Sequence, residues 1–144
     1  MRVERRYRFS TAHLYRRADW SDEENLRRFG KCAYEPGHGH NYRLWVAVSG
    51  EVDAATGFLV DLGELDAVVD REVVSVLDHR HVNHAVAEFA VGPVAGGTRV
   101  PSSEELVGWV RRRLEGELPE GVRLVGVRLE EDEDLACEWV AAET

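Results

Sequence analysis

Three histidines occupy positions at which predicted strands would bring them together. His38 and His40 are separated by a single residue, so in an extended segment both side chains point to the same side. His13 follows an alternating segment typical of a strand and supplies a third imidazole. Three histidines without a fourth protein ligand form the open type of zinc site, which leaves a position for water or substrate. Two interpretations remain: a zinc site at His13, His38 and His40, or surface histidines in a polar loop, which is the more common reason for a His-x-His pair alone.

Cys32 lies six residues before His38. A free thiol beside Lys31 and near a metal can have a lowered pKa and act as a base or nucleophile. A small packing residue is an equally supported interpretation. A role as zinc ligand is disfavoured because structural zinc sites usually use more thiolates, and the other cysteine, Cys137, falls inside a predicted strand. We interpret Cys137 as a packing residue.

The pair Asp78-His79 stands where the first long predicted helix ends. Histidine at a helix C-terminus is favoured by the helix dipole, which is one explanation of its position. The other is an acid–base pair, in which the carboxylate orients an imidazole that titrates near neutrality. His81 and His84 follow in a segment, 78–100, that is predicted to be a loop, and the sequence assigns them no role.

An acidic residue, Glu131, continues the apolar face of a predicted strand. A carboxylate on an inward face is costly unless it is paired. A ligand with two parallel N–H groups, such as the edge of a guanidine-like heterocycle, is a natural partner. The alternative is that the strand ends earlier and residues 130–134 form a solvated acidic turn.

A small set of regular elements must position these side chains. Alternating apolar residues predict strands over 2–11, 41–51, 125–129 and 135–141, and the first two are expected to pair as an antiparallel hairpin. Helical spacing predicts helices over 62–77 and 103–114, capped by Asp61 and Ser102, and a short helix opens at Ser21. The order ββααββ predicts an α+β fold: one four-stranded antiparallel sheet with two helices on one face.

Length and composition set further limits. The chain has 144 residues, which fits one domain over 1–144, and 44% hydrophobic residues exclude a disordered chain. Its formal net charge of −9 argues against nucleic acid as a partner. The apolar runs are too short to cross a membrane, and the first ten residues lack the apolar core of a signal peptide. We therefore expect a cytoplasmic protein with no membrane partner.

Six motifs, taken together and in order, strongly resemble the 6-pyruvoyl-tetrahydropterin synthase / 6-carboxy-tetrahydropterin synthase family. They are FSTAH at 9–13, SDEENL at 21–26, FGKC at 29–32, GHGHNY at 37–42, LDH at 77–79 and PSSE at 101–104. The resemblance covers nearly the whole chain. It implies the T-fold, which agrees with the predicted ββααββ order, and hexamers with active sites at subunit interfaces.

The resemblance also implies roles for individual residues. Zinc would be held by His13, His38 and His40, and a proton-transfer group would consist of Cys32, Asp78 and His79. Glu131 would anchor the pterin of 7,8-dihydroneopterin triphosphate, with Ser102, Ser103 and Glu104 nearby. Asp132 stands where threonine usually follows the anchor, which leaves Glu130 as a rival.

The resemblance leaves the product open. We favour 6-carboxy-tetrahydropterin, formed with release of acetaldehyde and triphosphate for 7-deazaguanine and queuosine synthesis. The alternative is 6-pyruvoyl-tetrahydropterin, formed by triphosphate elimination as in tetrahydrobiopterin synthesis. Further alternatives are a dihydroneopterin aldolase-like variant and a zinc- or pterin-binding module without catalysis. Basic residues at 16, 17, 27, 28 and 31 are expected to attract the triphosphate, and the loop 85–100 to cover the site.

Overall fold

The computed structural model describes residues 1–92 and 99–142. Its centre is a five-stranded sheet in the order β3-β1-β2-β4-β5. Strand β1 (Arg2–His13) pairs antiparallel with β2 (His38–Ser49) along its whole length. On the other side of β2 follow β4 (Arg123–Glu130) and β5 (Ala136–Val140), also antiparallel. The four predicted strands and the hairpin are confirmed.

The prediction of a purely antiparallel four-stranded sheet is wrong in one respect. A fifth strand, β3 (Arg80–His81), pairs parallel with β1 at Thr11 and Ala12. The sheet is therefore mixed. Two residues are too few to show an alternating pattern, so this strand gave no sequence signal.

The main helical elements are α1 (Asp22–Phe29), α2 (Leu62–Val69), α3 (Ser75–Leu77), α4 (Val82–Ala85) and α5 (Ser103–Leu114). The long helix predicted over 62–77 and α5 pack on one side of the sheet, and α1, α2 and α5 begin at the predicted caps. A π-helical turn joins α2 to α3, so the predicted long helix runs as one body from 62 to 77. Ser21, Asp61 and Ser102 accept hydrogen bonds from the first-turn amides of α1, α2 and α5.

The core lies between this helical layer and the inner face of the sheet. Its residues are almost completely buried and come from the sheet (Leu44, Val46, Val48, Val127, Leu129), from the long helix (Leu65, Val69, Val73, Leu77) and from α5 (Leu106, Val110, Leu114). Along β2 the same face is apolar at one end and carries His38, His40 and Tyr42 at the other. Core packing therefore fixes the face on which the histidines lie.

The segment predicted as a loop after residue 78 is partly ordered into regular structure. It contains β3, α4 and a 3-10 turn at Ala87–Phe89. The buried side chain of Asn83 ties it to the end of β1, donating to the carbonyls of Leu14 and Phe89 and accepting from the Leu14 amide. The glycine pair of the predicted covering loop lies outside the described residues. No helix among those described is long and apolar enough to cross a membrane.

Candidate active site

The register of β1 and β2 brings the three histidines together. His13 is directly opposite His38, and His40 follows on the same face. His13 Nε2 lies 3.2 Å from His38 Nε2, and the three ring centroids are 4.8 to 5.0 Å apart. One ring nitrogen from each histidine falls within 4.8 Å of the other two. The structure therefore forms the predicted cluster.

The cluster has the properties of a metal site. His13 is completely buried, and this burial, aided by the charges of His38 and His40, lowers its pKa to about 3. Its ring is therefore neutral at physiological pH, the form that binds a metal. His40 Nε2 is buried and makes no well-aligned hydrogen bond, although Glu131 Oε1 lies 3.3 Å away. Three converging imidazoles, one with a buried nitrogen that forms no hydrogen bond, are a donor set that fits zinc.

A second possible metal set shares one of these histidines. It consists of His40, Glu131 and Asp132. Asp132 is exposed, and its carboxylate already accepts hydrogen bonds from the amides of Asp134 and Leu135. The histidine cluster is the better candidate because its nitrogens are more buried and have fewer competing partners.

Two consecutive glutamates at the end of β4 face opposite sides of the sheet. Glu131 is 7% exposed and accepts a hydrogen bond from Ser103 Oγ at 2.7 Å, while its Oε1 lies 3.3 Å from His40 Nε2. Glu130 instead pairs with Arg43 and Arg128 on the other face. Of the two rival anchors, Glu131 is the one that shares a buried site with the histidines.

Tyr42 is a site residue that the sequence reasoning missed. Its hydroxyl lies 3.0 Å from His13 Nδ1 and 3.5 Å from Glu131 Oε2. Burial raises the pKa of Tyr42 above its ordinary value, and the charge of Glu131 adds to this, so the hydroxyl keeps its proton. A signal was available, because Tyr42 continues the alternation of His38 and His40.

Cys32 lies in the 3-10 turn that follows α1, near the buried glutamate. Its carbonyl accepts a hydrogen bond from the Tyr15 amide at 2.8 Å, which ties this turn to the chain after β1. Burial raises the pKa of the Cys32 thiol, and the negative charge of Glu131 contributes. Lys31 is exposed, so burial and Glu131 are the influences that act on the thiol in this structure, whereas the expected lowering depended on a nearby metal.

Asp78 and His79 form the predicted pair, but at the edge of β1. His79 Nδ1 is 2.9 Å from Asp78 Oδ2, and Asp78 Oδ1 accepts from the Ser10 amide at 2.8 Å. That amide hydrogen bond is the main reason why the pKa of Asp78 is lowered. The His79 side chain is 84% exposed and its backbone is left-handed, at φ 57°. Within residues 1–92 and 99–142, no hydrogen bond or ion pair joins Asp78 or His79 to Cys32 or the histidine cluster.

The serines at the start of α5 divide into two roles. The Ser102 hydroxyl caps the helix by accepting from the Glu105 amide. The Ser103 hydroxyl is buried and reaches Glu131, whereas Glu104 is exposed. Of the three residues, Ser103 is the one that contacts the buried glutamate.

The basic residues near α1 do not form the expected positive field. Arg27 and Arg28 both pair with Glu24, Arg16 pairs with Asp22, and Arg17 pairs with Asp19. These acidic partners cancel most of the local positive charge.

The comparisons with known proteins agree with this geometry. A sequence profile of the family described as 6-pyruvoyl tetrahydropterin synthase matches residues 2–141. The 6-pyruvoyl tetrahydrobiopterin synthase of Pongo abelii is 37% identical over 132 residues, which cover 92% of this chain and 86% of that protein. The structure of Caenorhabditis elegans 6-pyruvoyl tetrahydropterin synthase matches with a TM-score of 0.84 and 30% identity, covering 99% of this chain and 96% of that one. Dihydroneopterin monophosphate aldolase of Pyrococcus furiosus is 29% identical over 137 residues, 95% of each chain.

The mixed sheet with helices on one face defines an α+β protein of the T-fold class. Within that class, the chain belongs to the 6-pyruvoyl tetrahydropterin synthase family, a family of metal-binding lyases that act on pterins. The resemblance carried by the six sequence motifs is confirmed.

Proposed function

We propose that this protein is a zinc-dependent lyase that eliminates triphosphate from 7,8-dihydroneopterin triphosphate to form 6-pyruvoyl-tetrahydropterin. The observation that carries the proposal is the histidine cluster, built on the buried His13, with Glu131 directly beside it. One small molecule could therefore contact a metal held by the histidines and, at the same time, the carboxylate of Glu131. The 6-carboxy product, which the sequence favoured, has weaker support because the relatives compared above are named for the pyruvoyl reaction or for an aldolase.

Zinc held by His13, His38 and His40 would act as a Lewis acid toward the hydroxyl groups of the substrate side chain. Glu131 would receive the pyrimidine edge, whose ring N–H and amino N–H match a carboxylate in a two-point contact. Ser103 supports this role because it holds one carboxylate oxygen in place at 2.7 Å. The pterin would thus be oriented from one end and its side chain from the other.

Proton transfer would involve Cys32 together with the Asp78–His79 pair. A proton leaves a carbon of the side chain, the carbon–oxygen bond to the triphosphate breaks, and the side-chain hydroxyls become carbonyls as the ring is reduced. Because oxidation and reduction occur within one molecule, no external redox cofactor is needed. Asp78 and His79 lie at the sheet edge and His79 is exposed, so we propose that they serve the site of a neighbouring copy in a homo-oligomer, with a hexamer as the expected form.

A product assay tests the reaction. Purified protein loaded with zinc is incubated with 7,8-dihydroneopterin triphosphate, and the products are identified by mass. We expect triphosphate and 6-pyruvoyl-tetrahydropterin. Release of acetaldehyde with 6-carboxy-tetrahydropterin would instead establish the other synthase, and an unchanged substrate would contradict both.

The Cys32→Ala variant tests the proposed proton-transfer role of Cys32, and Cys137→Ala is the matched control. Removing a proton-transfer group typically lowers turnover by roughly 10²–10⁴-fold. We expect this loss for Cys32→Ala with zinc retained, and near-normal turnover for Cys137→Ala. Near-normal turnover in Cys32→Ala would assign Cys32 to packing, and loss of zinc would make it a metal ligand.

An aldolase reaction is the second candidate. It is favoured by the similarity to the Pyrococcus furiosus dihydroneopterin monophosphate aldolase over 95% of both chains. An aldolase would cleave the side chain of a dihydroneopterin substrate without the internal redox step. The same assay with dihydroneopterin monophosphate separates the two, because cleavage of this substrate yields a two-carbon aldehyde and leaves the phosphate ester intact.

A further inference from the structure

Tyr42 lies between a histidine of the candidate metal site and the buried glutamate. Its hydroxyl oxygen is 3.0 Å from His13 Nδ1 and 3.5 Å from Glu131 Oε2. The residue is 1% exposed, and its ring stacks on Phe9 with 5.3 Å between the centroids. Packing therefore fixes the ring and leaves the hydroxyl between two polar groups.

The direction of the hydrogen bonds follows from the chemistry of the two neighbours. His13 faces the other histidines with Nε2, which lies 3.2 Å from His38 Nε2. A neutral imidazole that binds a metal through Nε2 carries its proton on Nδ1. Nδ1–H then donates to the Tyr42 oxygen, while the Pro101 backbone also interacts with the His13 ring, and the Tyr42 hydroxyl donates to Glu131, since an ionised carboxylate only accepts. The contact to Glu131 is the longer of the two.

We propose that Tyr42 is a positioning residue that holds His13 in its Nδ1–H tautomer and connects this metal ligand to the carboxylate of Glu131. The inference rests on the proposed function, which assigns the metal to His13 and the pterin to Glu131. A metal-binding histidine usually donates its second nitrogen to such a partner, which orients the ring and raises its basicity. Here the partner is a tyrosine whose own acceptor is the residue that receives the substrate.

A second tyrosine beside the same histidine lacks this arrangement. The Tyr15 ring packs against His13 with 4.8 Å between centroids. In the part of the chain that the structure describes, its hydroxyl has no hydrogen bond to His13 or Glu131. Tyr15→Phe therefore removes a hydroxyl close to the site without touching the proposed connection, and it serves as the matched control.

The test measures zinc affinity by competition with a chromophoric chelator in the full chain. Loss of such a partner typically weakens metal binding roughly 10- to 100-fold. We expect this range for Tyr42→Phe, no change for Tyr15→Phe, and one zinc per chain in every variant at saturating metal. Histidine ring ¹⁵N spectra of the zinc-loaded protein should show a protected Nδ1–H at His13, whose exchange with solvent speeds up in Tyr42→Phe.

A thermodynamic cycle distinguishes the connection from simple packing. If Tyr42 acts through Glu131, the double variant Tyr42→Phe, Glu131→Gln should bind zinc little more weakly than Tyr42→Phe alone. If the loss of zinc affinity in the double variant equals the product of the losses in the two single variants, the connection is overturned. An unchanged zinc affinity in Tyr42→Phe would also overturn it. If Tyr42→Phe does not fold, the wild-type spectra decide, because a His13 Nδ1–H that exchanges freely with solvent would overturn the connection. Wild-type protein that binds no zinc would instead overturn the proposed function itself.

Discussion

At the residue scale, the buried Nε2 of His40 is the most informative atom of the candidate metal site. A buried nitrogen that makes no well-aligned hydrogen bond is costly unless a ligand completes it, and His40 belongs to both possible donor sets. Zinc binding should therefore depend on His40 in either donor set, the three histidines or His40 with Glu131 and Asp132.

His40→Ala should lose most bound zinc while the fold is kept, because the core begins further along β2. His79→Ala is the control, since His79 is an exposed histidine outside both donor sets. Metal analysis and circular dichroism check the two variants. Full zinc occupancy in His40→Ala would rule out the cluster as the metal site.

At the element scale, the turn before β2 determines where His38 lies. Gly37 has φ 101°, and a Cβ built on it would be 2.2 Å from the His13 carbonyl oxygen. The neighbouring Pro36 carbonyl is 2.7 Å from His81 Nε2, so His81 holds this turn against β3. His81, to which the sequence assigned no role, thus helps to position the site.

Gly37→Ala should destabilise the fold and weaken zinc binding. The control is Gly57→Ala, which also has a positive φ, of 74°, but open space around the new methyl group. Backbone strain alone costs about 1–3 kcal/mol at either position, and the clash with His13 adds to this at Gly37. Chemical denaturation and zinc titration compare them. Equal zinc affinity in both variants would contradict the role of this turn.

The long helix, residues 62–77, is tied to β1 by a cluster of polar side chains. Arg5 donates two hydrogen bonds of 2.6 Å to Asp66, and Tyr7 donates a third of 2.9 Å. The Arg5 contact is the main reason why the pKa of Asp66 is lowered. As the pH falls, Asp66 is therefore protonated in the unfolded chain at a higher pH than in the folded chain. The free energy of unfolding decreases over that pH range.

Asp66→Asn should lower the free energy of unfolding at pH 7 by about 1 kcal/mol, a modest value because the pair is partly exposed to solvent. The difference from wild type should shrink as the pH falls through about 4, the ordinary pKa of an unfolded aspartate, toward the lowered folded value. Glu64→Gln, on an exposed position of the same helix, is the control. A difference that stays constant down to pH 2 would refute this account.

At the scale of the whole molecule, the described residues leave strand edges and one sheet face uncovered. Strand β3 covers only Thr11 and Ala12 of the β1 edge, and within residues 1–92 and 99–142 no strand pairs with the far side of β5. The face opposite the helices carries Arg6 and Arg8, which have no ion-pair partner among the residues described. Open edges are normally covered by another strand or another chain, so we expect this protein to assemble into a closed ring of copies.

Mixing two inactive variants tests whether a site is shared between copies. Cys32→Ala and His79→Ala should each be inactive alone. If Cys32 of one copy works with His79 of the next, random reassembly restores about a quarter of the sites. Activity measured after joint dissociation and reassembly, with the size of the assembly from light scattering, checks this. No recovery in a mixed oligomer would place both residues in a single-chain site.

The sequence by itself determined the local features of this protein. The caps at Ser21, Asp61 and Ser102, the four longer strands and the three histidines follow from spacing, because a side chain's face and a helix's first turn depend only on near neighbours. Ordered motifs were enough to identify the family.

The tertiary structure alone decided which distant residues meet. It placed Tyr42 between His13 and Glu131, gave Ser103 rather than Glu104 the contact with that glutamate, and added the parallel strand β3. It also set Asp78 and His79 apart from Cys32 and raised the thiol pKa by burial. These features depend on strand register, burial and the approach of residues far apart in the chain, which no pattern of neighbouring residues contains.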